Sequence, residues 1–588
     1  MKIILTTLNS KFIHSNLAIR YLSNYVKNIV DIEIYEFTIN QNIDFIASEI
    51  YKLDPKVIGF STYIWNLKET LKICEILKTV KPDIKIVLGG PEVSFDGESL
   101  MEQYPYVDFI IYGEGEETFK EFVDNIVHNN KDFSNVLGLI YRDGERVIKN
   151  KERDLIQELD NIPSPYSNVG SEFKNKIVYY ESSRGCPFNC KFCLSSSIKG
   201  VRYFNIDRVK EDLSNLIKCG VKQVKFVDRT FNANKKYAME IMQFIIDKDP
   251  VDINFHFEVT AHLLDNEVLN FLKSVKEGLF QFEVGVQSTN DDTIKAVGRT
   301  TDFEKLSKVT RMIKSYKNIH QHLDLIAGLP YEDYNTFRES FNDVYNLKPE
   351  KLQLGFLKML KGSGLRLKEE KYGYKYIDKP PYEVLANDFI SYDKIIKLKG
   401  IEDLVEKYYN EGYFQHTLEF IIKNYYIGPF GFYEDFLKYW EDNDYNKVSH
   451  SRNKLYEILK RFVAYKDYAH ISIIDNLLKY DYIYNNKRPK LPVSLQVGDN
   501  RIVQKNIHNI LKDERILEKY LYEYKDISTK KLINLVSLEN FNVNVLEVIK
   551  AGYNPIESSK AYILFVHKDG EINRCVATDI TKIVEEMI

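Results

Sequence analysis

Cysteine is scarce in this 588-residue chain, which contains six. So few cysteines exclude the disulfide-dense framework of a small secreted protein. The first residues, Met1 to Leu5, have a strand pattern and not the longer apolar core and cleavage site of a secretory leader. No apolar run approaches the roughly 18 residues that a membrane-spanning helix needs. We therefore expect a reduced, cytoplasmic protein without a membrane partner.

An excess of either charge is also lacking. The chain has 81 basic and 85 acidic side chains, which give a formal net charge of -4. A surface that binds nucleic acid through its phosphates alone would need a strong basic excess. Nucleic acid is therefore not implied as a partner, and the identity of the substrate stays open.

Half of the cysteines stand within eight positions, at Cys186, Cys190 and Cys193. This C-x3-C-x2-C run follows an apolar strand pattern and carries Gly185 and Pro187, which favour a tight loop. Three soft thiolates favour an iron-sulfur cluster over a hard cation, whereas a structural zinc site would need a fourth ligand. A zinc knuckle and three buried thiols remain the alternatives. A cuboidal 4Fe-4S cluster held by three cysteines would leave one iron open for chemistry.

The spacing, with Phe192 directly before the third cysteine, resembles the signature of the radical S-adenosylmethionine (SAM) enzymes. The resemblance implies that Cys186, Cys190 and Cys193 hold a 4Fe-4S cluster whose open iron binds SAM. An electron from that cluster would cleave a C-S bond to give a 5'-deoxyadenosyl radical. The implied partner is an external electron donor such as flavodoxin or ferredoxin, and the implied cluster would be oxygen-sensitive.

Strand and helix patterns alternate along the first two thirds of the chain, which predicts an α/β protein. Residues 1–135 fit a flavodoxin-like doubly wound domain with five strands, and residues 136–170 fit a hairpin and a proline-containing linker. Six strand-helix units in residues 171–375 fit a partial (βα)6 barrel with its functional loops at the strand carboxyl ends. Residues 376–588 are predicted to be a mainly helical domain that ends in a hairpin turning at Asp569-Gly570.

Polar and glycine-rich segments follow several strands of the first domain. Glycines let the backbone approach a ligand closely, and neighbouring glutamates argue against a phosphate site. Each segment alone also suits a turn and a helix cap. Together they resemble the cobalamin-binding domain that precedes many radical SAM domains. The cobalamin contacts implied by the resemblance are Asn9, Ser10, His14, Ser61, Thr62, Tyr63, Trp65, Asn66, Gly89, Gly90, Pro91, Glu92, Gly113, Glu114, Gly115 and Glu116.

The Asp-x-His-x-x-Gly motif, which supplies a histidine ligand to cobalt in other cobalamin domains, is missing. Resemblance therefore implies base-off cobalamin without a histidine ligand. His14, after the first strand, is the one candidate for axial ligation, and a place at a helix start or in a pocket wall is the alternative.

Polar residues also end the strands of the predicted barrel, where the family binds SAM. The resemblance implies a contact between Arg299 and the SAM carboxylate, a role that suits a planar bidentate cation. The Gly-Gly-Glu motif of many relatives is replaced by Asp228-Arg229-Thr230, which leaves the amino-group contact open. Each of these residues could instead cap a helix or form an ion pair. The implied SAM contacts are Phe192, Asp228, Arg229, Glu283, Gln287, Ser288, Arg299 and Asp324.

The combined pattern predicts a cobalamin-dependent radical SAM methyltransferase that acts on an unactivated carbon or phosphorus atom. Its cofactors would be a 4Fe-4S cluster, SAM and cobalamin. A cyclisation or rearrangement without methyl transfer is one alternative, and a cofactor-sensing regulatory protein is another. No individual catalytic residue, oligomeric state or role for the last domain follows from the sequence.

Overall fold

The structure is a computed structural model that describes residues 1–167, 169–198, 200–487, 490–567 and 575–587. Its strands are β1 (Ile3–Asn9), β2 (Ile32–Thr38), β3 (Val57–Ser61), β4 (Lys85–Gly89), β5 (Phe109–Ile111), β6 (Leu139–Asp143), β7 (Arg146–Lys149), β8 (Ile177–Tyr180), β9 (Ser183–Cys186), β10 (Gly200–Tyr203), β11 (Gln223–Phe226), β12 (Asn254–Glu258), β13 (Phe280–Gln287), β14 (His320–Ala327), β15 (Lys351–Phe356), β16 (Lys375–Tyr376), β17 (Val384–Ala386), β18 (Val536–Phe541), β19 (Ala561–His567) and β20 (Cys575–Asp579).

The α-helices alternate with β1 to β5 and with β11 to β15, and they dominate the chain after that. They are α1 (Leu17–Tyr25), α2 (Ile43–Lys52), α3 (Leu67–Val80), α4 (Gly97–Gln103), α5 (Glu116–Val127), α6 (Ile206–Cys219), α7 (Lys235–Lys248), α8 (Asn266–Leu272), α9 (Asp291–Ala296), α10 (Phe303–Tyr316), α11 (Tyr334–Tyr345), α12 (Tyr392–Val405), α13 (Gln415–Tyr425), α14 (Pro429–Asp442), α15 (Arg452–Lys466), α16 (Ile471–Tyr484), α17 (Arg501–Ile510), α18 (Glu514–Tyr520), α19 (Thr529–Leu532), α20 (Val545–Lys550) and α21 (Thr581–Met587).

The first sheet has the strand order β2-β1-β3-β4-β5-β6-β7, and β1 to β5 pair in parallel. Apolar side chains from alternate strand positions form two buried clusters with the helices, so the predicted doubly wound domain is confirmed. The predicted hairpin is present as β6-β7, and it pairs antiparallel with β5. Leu139 and Ile140 are fully buried there, and this burial extends the first sheet beyond residue 135 to Lys149.

The second sheet has the order β15-β14-β13-β12-β11-β8. The pairs from β8 to β14 are parallel, and the two end strands leave the sheet open, which confirms the predicted partial barrel. The helices after these strands begin at an Asn or Asp whose side chain accepts a hydrogen bond from the first turn. The capping residues of α6 to α11 are Asn205, Asn234, Asp265, Asn290, Asp302 and Asp333.

The described chain divides into two compact units, and the second comprises Glu350–Leu352 together with the residues from Ile396 onward. The first unit includes β16 and β17, and the predicted domain boundary at residue 375 stays a prediction. The second unit is mainly helical, as predicted, with the short sheet β18-β19-β20. The strands of the predicted last hairpin pair as β19 and β20, whereas its Asp569-Gly570 turn lies outside the described residues.

The helical unit is held together by aromatic rings. Tyr408 lies with its ring centroid 4.7 Å from that of Phe414 and 4.9 Å from that of Phe436, and Phe414 lies 4.3 Å from Tyr456. All four are fully buried, so much of the tyrosine and phenylalanine in this region fills the core. Of the helices in the described part of the chain, none combines the length and the hydrophobicity that a membrane crossing requires.

Candidate cofactor site

The three clustered cysteines lie on the loop that begins at the end of β9. Cys190 is buried, whereas Cys186 and Cys193 are partly exposed. Burial raises the pKa of the Cys190 thiol, the Arg299 guanidinium opposes this rise, and the thiols of Cys193 and Cys186 add to it. A cuboidal cluster suits such a set because each thiolate binds a different iron. Within the described ranges, no three His, Cys, Asp or Glu side chains converge closely enough to hold a single metal ion.

Asp228, which follows β11 and is 1% exposed, binds the residues at the start of the strand that leads to the cysteine loop. Its carboxylate accepts hydrogen bonds from the backbone N-H of Ser182 at 3.0 Å and from the hydroxyls of Ser182 and Ser183 at 2.6 Å each. Burial raises the pKa of Asp228, and these hydrogen bonds oppose the rise. Because Ser183 begins β9, Asp228 fixes the strand that ends at Cys186. Its predicted contact with SAM stays a prediction.

The other side of the loop is held by backbone contacts. The N-H of Lys191 donates to Val297 at 2.8 Å, and its carbonyl accepts from the N-H of Leu365 at 2.8 Å. Gly298 has a φ of 69°, and a β-carbon there would lie 3.1 Å from a backbone oxygen of the loop. Phe192 packs against the apolar cluster that contains Val297 and Leu365. These contacts orient the cysteines without using their sulfurs.

Arg299 reaches the cysteine loop directly. Its Nη1 donates to the sulfur of Cys190 at 3.6 Å, its Nε donates to Thr301 at 2.8 Å, and its Nη2 donates to the carbonyl of Gly285. The guanidinium therefore lies beside a predicted cluster ligand. Its predicted contact with the SAM carboxylate is not tested by this arrangement.

Charged side chains project from one face of the second sheet. Glu283 lies 3.0 Å from the Lys225 ammonium and 2.9 Å from Nε2 of His256. Burial acts to raise the pKa of Glu283, but His256 and Lys225 outweigh it and lower the pKa to about 2. The amide nitrogen of Gln281 lies 3.3 Å from Nδ1 of His256 and 3.3 Å from Nδ1 of His322. Polar groups thus line this face from β11 to β14.

Hydrogen-bond acceptors without partners lie in the same region. Oδ1 of Asp324 and Oε1 of Gln287 are buried and accept no hydrogen bond from the described residues. Burial raises the pKa of Asp324 well above its usual range, and the carboxylates of Glu283 and Glu258 raise it further. SAM carries an ammonium group, two ribose hydroxyls and an adenine amino group, all of which donate. The acceptors therefore fit the predicted ligand.

The remaining predicted SAM contacts have other surroundings. The hydroxyl of Ser288 donates to the buried Glu332 at 2.6 Å, and Arg229 is exposed. Gln287 has a φ of 72° at a bulge in β13, and a β-carbon at Gly285 would lie 2.2 Å from its amide nitrogen. The left-handed backbone at Gln287 coincides with the bulge, where the register between β13 and β14 shifts.

The loops after β3 and β4 interlock at the carboxyl edge of the first sheet. Both the N-H and the hydroxyl of Thr62 donate to Gly89, at 2.7 and 2.8 Å. Gly90 has a φ of 117°, and a β-carbon there would lie 2.4 Å from the Thr62 carbonyl. The buried Asn66 accepts from the N-H of Tyr63 at 2.7 Å and donates to Ser61 at 3.1 Å. These predicted cobalamin contacts therefore shape the loops.

An aromatic surface and an open glycine remain at this edge. The rings of Tyr63 and Trp65 stack at 4.4 Å with 5° between their planes, and Trp65 is 46% exposed. Gly113 has a φ of 76°, and a β-carbon there would meet no atom within 4 Å. A flat aromatic face and an open backbone suit a large planar cofactor. Ser10 and Pro91 are exposed, and Gly115 precedes α5.

His14 contacts the second sheet. Its Nδ1 lies 3.0 Å from the Tyr179 hydroxyl, and Ile177 at the start of β8 donates to the carbonyl of Ile13 at 2.9 Å. Burial lowers the pKa of His14, and Lys11 and then Lys225 lower it further. Asn9 donates to the His14 carbonyl at 3.1 Å. Axial ligation by His14 stays a prediction.

Three predicted cobalamin contacts bind protein groups instead of lying open. Oε1 of the buried Glu92 accepts a hydrogen bond from Tyr382, and burial raises the pKa of Glu92. Glu114 and Glu116 bind arginines of the β9-β10 hairpin. Their partners, which are Arg184, Arg202 and Tyr382, were not predicted from the sequence. The first stands two residues before Cys186, and its place in the motif was the only signal.

Three family models match the chain in order. They are the B12 binding domain at residues 3–123, the Radical SAM superfamily at residues 180–344, and a protein of unknown function (DUF4080) at residues 370–565. The first covers β1 to β5 of the first sheet, and the second covers β11 to β14 of the second sheet together with the cysteine loop. The third covers most of the second unit and the end of the first.

Curated relatives and a solved structure give the same picture. The uncharacterised methyltransferase PH0819 of Pyrococcus horikoshii is 30% identical over 54% of this chain and 70% of its own length. The 2-(S-pantetheinyl)-carbapenam-3-carboxylate methyltransferase of Streptantibioticus cattleyicolor is 24% identical, and the match covers 66% of this chain and 62% of that protein. The cobalamin-dependent SAM radical enzyme OxsB with aqua-cobalamin bound shares the fold, with a TM-score of 0.56, 17% identity, and coverage of 90% of this chain and 81% of OxsB.

Proposed function

The chain belongs to the cobalamin-binding radical SAM enzymes, whose cofactors are a 4Fe-4S cluster, SAM and cobalamin, and from this membership we propose that it transfers a methyl group to an unactivated carbon or phosphorus atom. When bound, the cluster and SAM supply a 5'-deoxyadenosyl radical, and cobalamin supplies a methyl carrier. Relatives that are named methyltransferases support the proposed reaction.

One observation carries the proposal. The segment that joins β5 to the first residue of α5, at the edge predicted to bind cobalamin, contacts the hairpin that carries Cys186 through the ion pair of Glu116 with Arg184. A substrate radical must meet the methyl carrier before it reacts with anything else, which requires the two cofactor sites to be neighbours. The contact between these two segments supplies that proximity.

The protein's own groups bind and orient in this scheme. Cys186, Cys190 and Cys193 would hold the cluster, while Asp228 and Arg299 fix the loop that carries them. The acceptors described above would bind the donors of SAM. The organic chemistry belongs to the cofactors, and the polypeptide supplies positions and a site closed to water.

Partners and location follow from the same reasoning and are also proposals. The substrate is of unknown identity, and an external one-electron donor such as flavodoxin or ferredoxin reduces the cluster. The scarcity of cysteine and the need for a reduced, oxygen-sensitive cluster support a cytoplasmic location.

Anaerobic reconstitution followed by mass spectrometry tests the proposal. With SAM, cobalamin and dithionite, the protein should release both S-adenosylhomocysteine and 5'-deoxyadenosine. Release of 5'-deoxyadenosine alone would favour a cyclisation or rearrangement, and release of neither would favour a regulatory protein. A Cys190→Ala variant that still cleaved SAM would contradict the cluster assignment.

A further inference from the structure

Two arginines of the β9-β10 hairpin are buried among carboxylates. Arg184 and Arg202 stand opposite each other in the hairpin, and their side chains are 11% and 14% exposed. Arg184 lies 2.5 Å from Glu116 and 3.0 Å from Glu181. Arg202 lies 2.6 Å from Glu114, and Arg184 lies 3.6 Å from the same carboxylate. Each arginine is therefore matched by carboxylate oxygens out of bulk water.

These contacts join two different parts of the first unit. Glu114 lies in the loop between β5 and α5, and Glu116 is the first residue of α5, at the carboxyl edge where doubly wound sheets bind ligands. Arg184 is separated from Cys186 by Gly185, which has a φ of 102°. A β-carbon at Gly185 would lie 2.1 Å from the Gly200 carbonyl, so the hairpin closes tightly here. A shift of Arg184 would therefore move Cys186 as well.

Buried ion pairs of this kind specify a geometry more than they add stability. Removal of one partner leaves an uncompensated buried charge. The ion pairs therefore favour the one arrangement of the hairpin in which every charge is paired. Glu114 also accepts from the N-H of Ile156 at 2.8 Å, and the Arg184 guanidinium lies 5.5 Å from the centre of the Tyr21 ring. These contacts therefore fix the position of the β9-β10 hairpin relative to the first sheet.

We propose that Glu114, Glu116, Arg184 and Arg202 form a coupling joint through which cobalamin binding and cluster assembly strengthen each other. The inference rests on the proposed function, since it needs both cofactors, and it goes beyond that function by making each site depend on the other. Cobalamin bound against the loop after β5 orders Glu114 and Glu116, which hold the hairpin in the position that the cluster needs. Such coupling is reciprocal by linkage. The four residues are positioning residues and not cofactor ligands.

The test compares cobalamin affinity with and without the cluster. Cobalamin binding is titrated anaerobically by absorbance, first to reconstituted protein and then to the Cys186→Ala, Cys190→Ala, Cys193→Ala triple variant. We expect the cluster to tighten binding by roughly 5- to 150-fold, the usual range of coupling between two sites. Iron content after reconstitution should rise with cobalamin by the same coupling.

The ratio of the cobalamin affinities with and without the cluster should move towards 1 in Arg184→Met and in the isosteric Glu116→Gln. Each variant is measured in both the cysteine-containing and the triple-alanine background. The double variant should lose no more than Arg184→Met alone, because that change already removes the contact that Glu116→Gln weakens. Circular dichroism and thermal unfolding verify that the variants fold, and Glu116→Gln preserves side-chain volume if Arg184→Met does not fold.

Arg153→Met is the matched control. Arg153 is 11% exposed and binds Glu117 at 3.1 Å and Glu121, both on α5, but it lies outside the cysteine hairpin. This variant should keep the full ratio. A wild-type ratio of 1, or a ratio that survives in both Arg184→Met and Glu116→Gln, would overturn the joint. Wild-type protein that binds neither cofactor would instead overturn the proposed function.

Discussion

The Arg299 guanidinium donates a hydrogen bond to the sulfur of Cys190, 3.6 Å away, from a residue 109 positions later in the chain. The same guanidinium is anchored by Thr301 and Gly285. An arginine fixed in this way places a positive charge beside one predicted cluster ligand. Hydrogen bonds to cluster sulfurs are among the factors that set the reduction potential.

The first prediction concerns that potential. Arg299→Met removes the donor and the charge that stabilise the reduced cluster, so the midpoint potential should fall by roughly 50 mV, which corresponds to about one ordinary hydrogen bond. Arg299→Lys keeps the charge, so its midpoint potential should lie between those of the wild type and Arg299→Met. An anaerobic redox titration followed by EPR measures the change, with the exposed Arg311→Met as control. An unchanged potential with weaker SAM binding would instead support the predicted contact with the SAM carboxylate.

The second prediction concerns the hydrogen bond between Tyr382 and Glu92, which are 1% and 6% exposed. Tyr382→Phe leaves a buried carboxyl oxygen without its donor, at a cost of about 1–3 kcal/mol. The loop that contains Gly90 and Glu92 should then exchange its amide hydrogens faster, and cobalamin should bind more weakly. Hydrogen exchange followed by mass spectrometry locates the effect.

Tyr376→Phe is the control for this change, because Tyr376 donates to Glu369 nearer the surface of the same segment. It should leave the loop after β4 as protected as in the wild type. Equal exchange of that loop in wild type and Tyr382→Phe would show that Tyr382 does not hold it.

Much of the fold could be predicted from the sequence because strand and helix periodicity is local. The six strands of the second sheet and five of the first lie where apolar alternation places them. The hairpin β6-β7 was predicted as a hairpin, but its turn chemistry does not show which sheet edge it pairs with. That choice depends on the burial of Leu139 and Ile140 against residues far away in the chain.

The candidate site divides in the same way. Cys186, Cys190 and Cys193 are readable because their spacing carries the chemistry. Glu114 and Glu116 can also be recognised in the sequence as candidate binding residues. Whether they contact a cofactor or an arginine depends on distant side chains: Arg184 is 68 positions from Glu116, and Arg202 is 88 positions from Glu114. Sequence reasoning finds the groups that can act and misses the partners that occupy them.

The third prediction concerns pH. Burial raises the pKa of Glu332 to about 7, although hydrogen bonds from Ser288 and Ser340 oppose the rise. The unfolded carboxyl titrates near 4.5, so the folded state binds the extra proton between the two values. The contribution of Glu332 to the free energy of unfolding is therefore fully present below pH 4.5. It falls as the pH rises towards 7, by on the order of 3 kcal/mol.

Glu332→Gln keeps an acceptor for the two serines and cannot ionise. Thermal unfolding at about pH 5 and about pH 8 should show a smaller loss of melting temperature for this variant than for the wild type. The melting temperature is the measured quantity because a chain of several domains need not unfold in one step. Identical pH dependence in both proteins would contradict the assignment to Glu332.

The last prediction separates support of the cluster from contact with SAM. Asp228→Ala removes the acceptor of three hydrogen bonds to Ser182 and Ser183, while Asp228→Asn keeps one oxygen. Hydrogen bonds to a charged group each contribute about 1.5–3 kcal/mol, so Asp228→Ala should lose most of its reconstituted iron and sulfide and Asp228→Asn should lose part. Asp212→Ala is the control, because Asp212 is equally buried and accepts from Ser164 and Tyr180, away from the cysteine hairpin. It should lower thermal stability and leave the iron content intact. If Asp228→Ala keeps its iron but binds SAM weakly, the carboxylate contacts SAM, as its place at the end of β11 predicted, and its hold on the hairpin is dispensable.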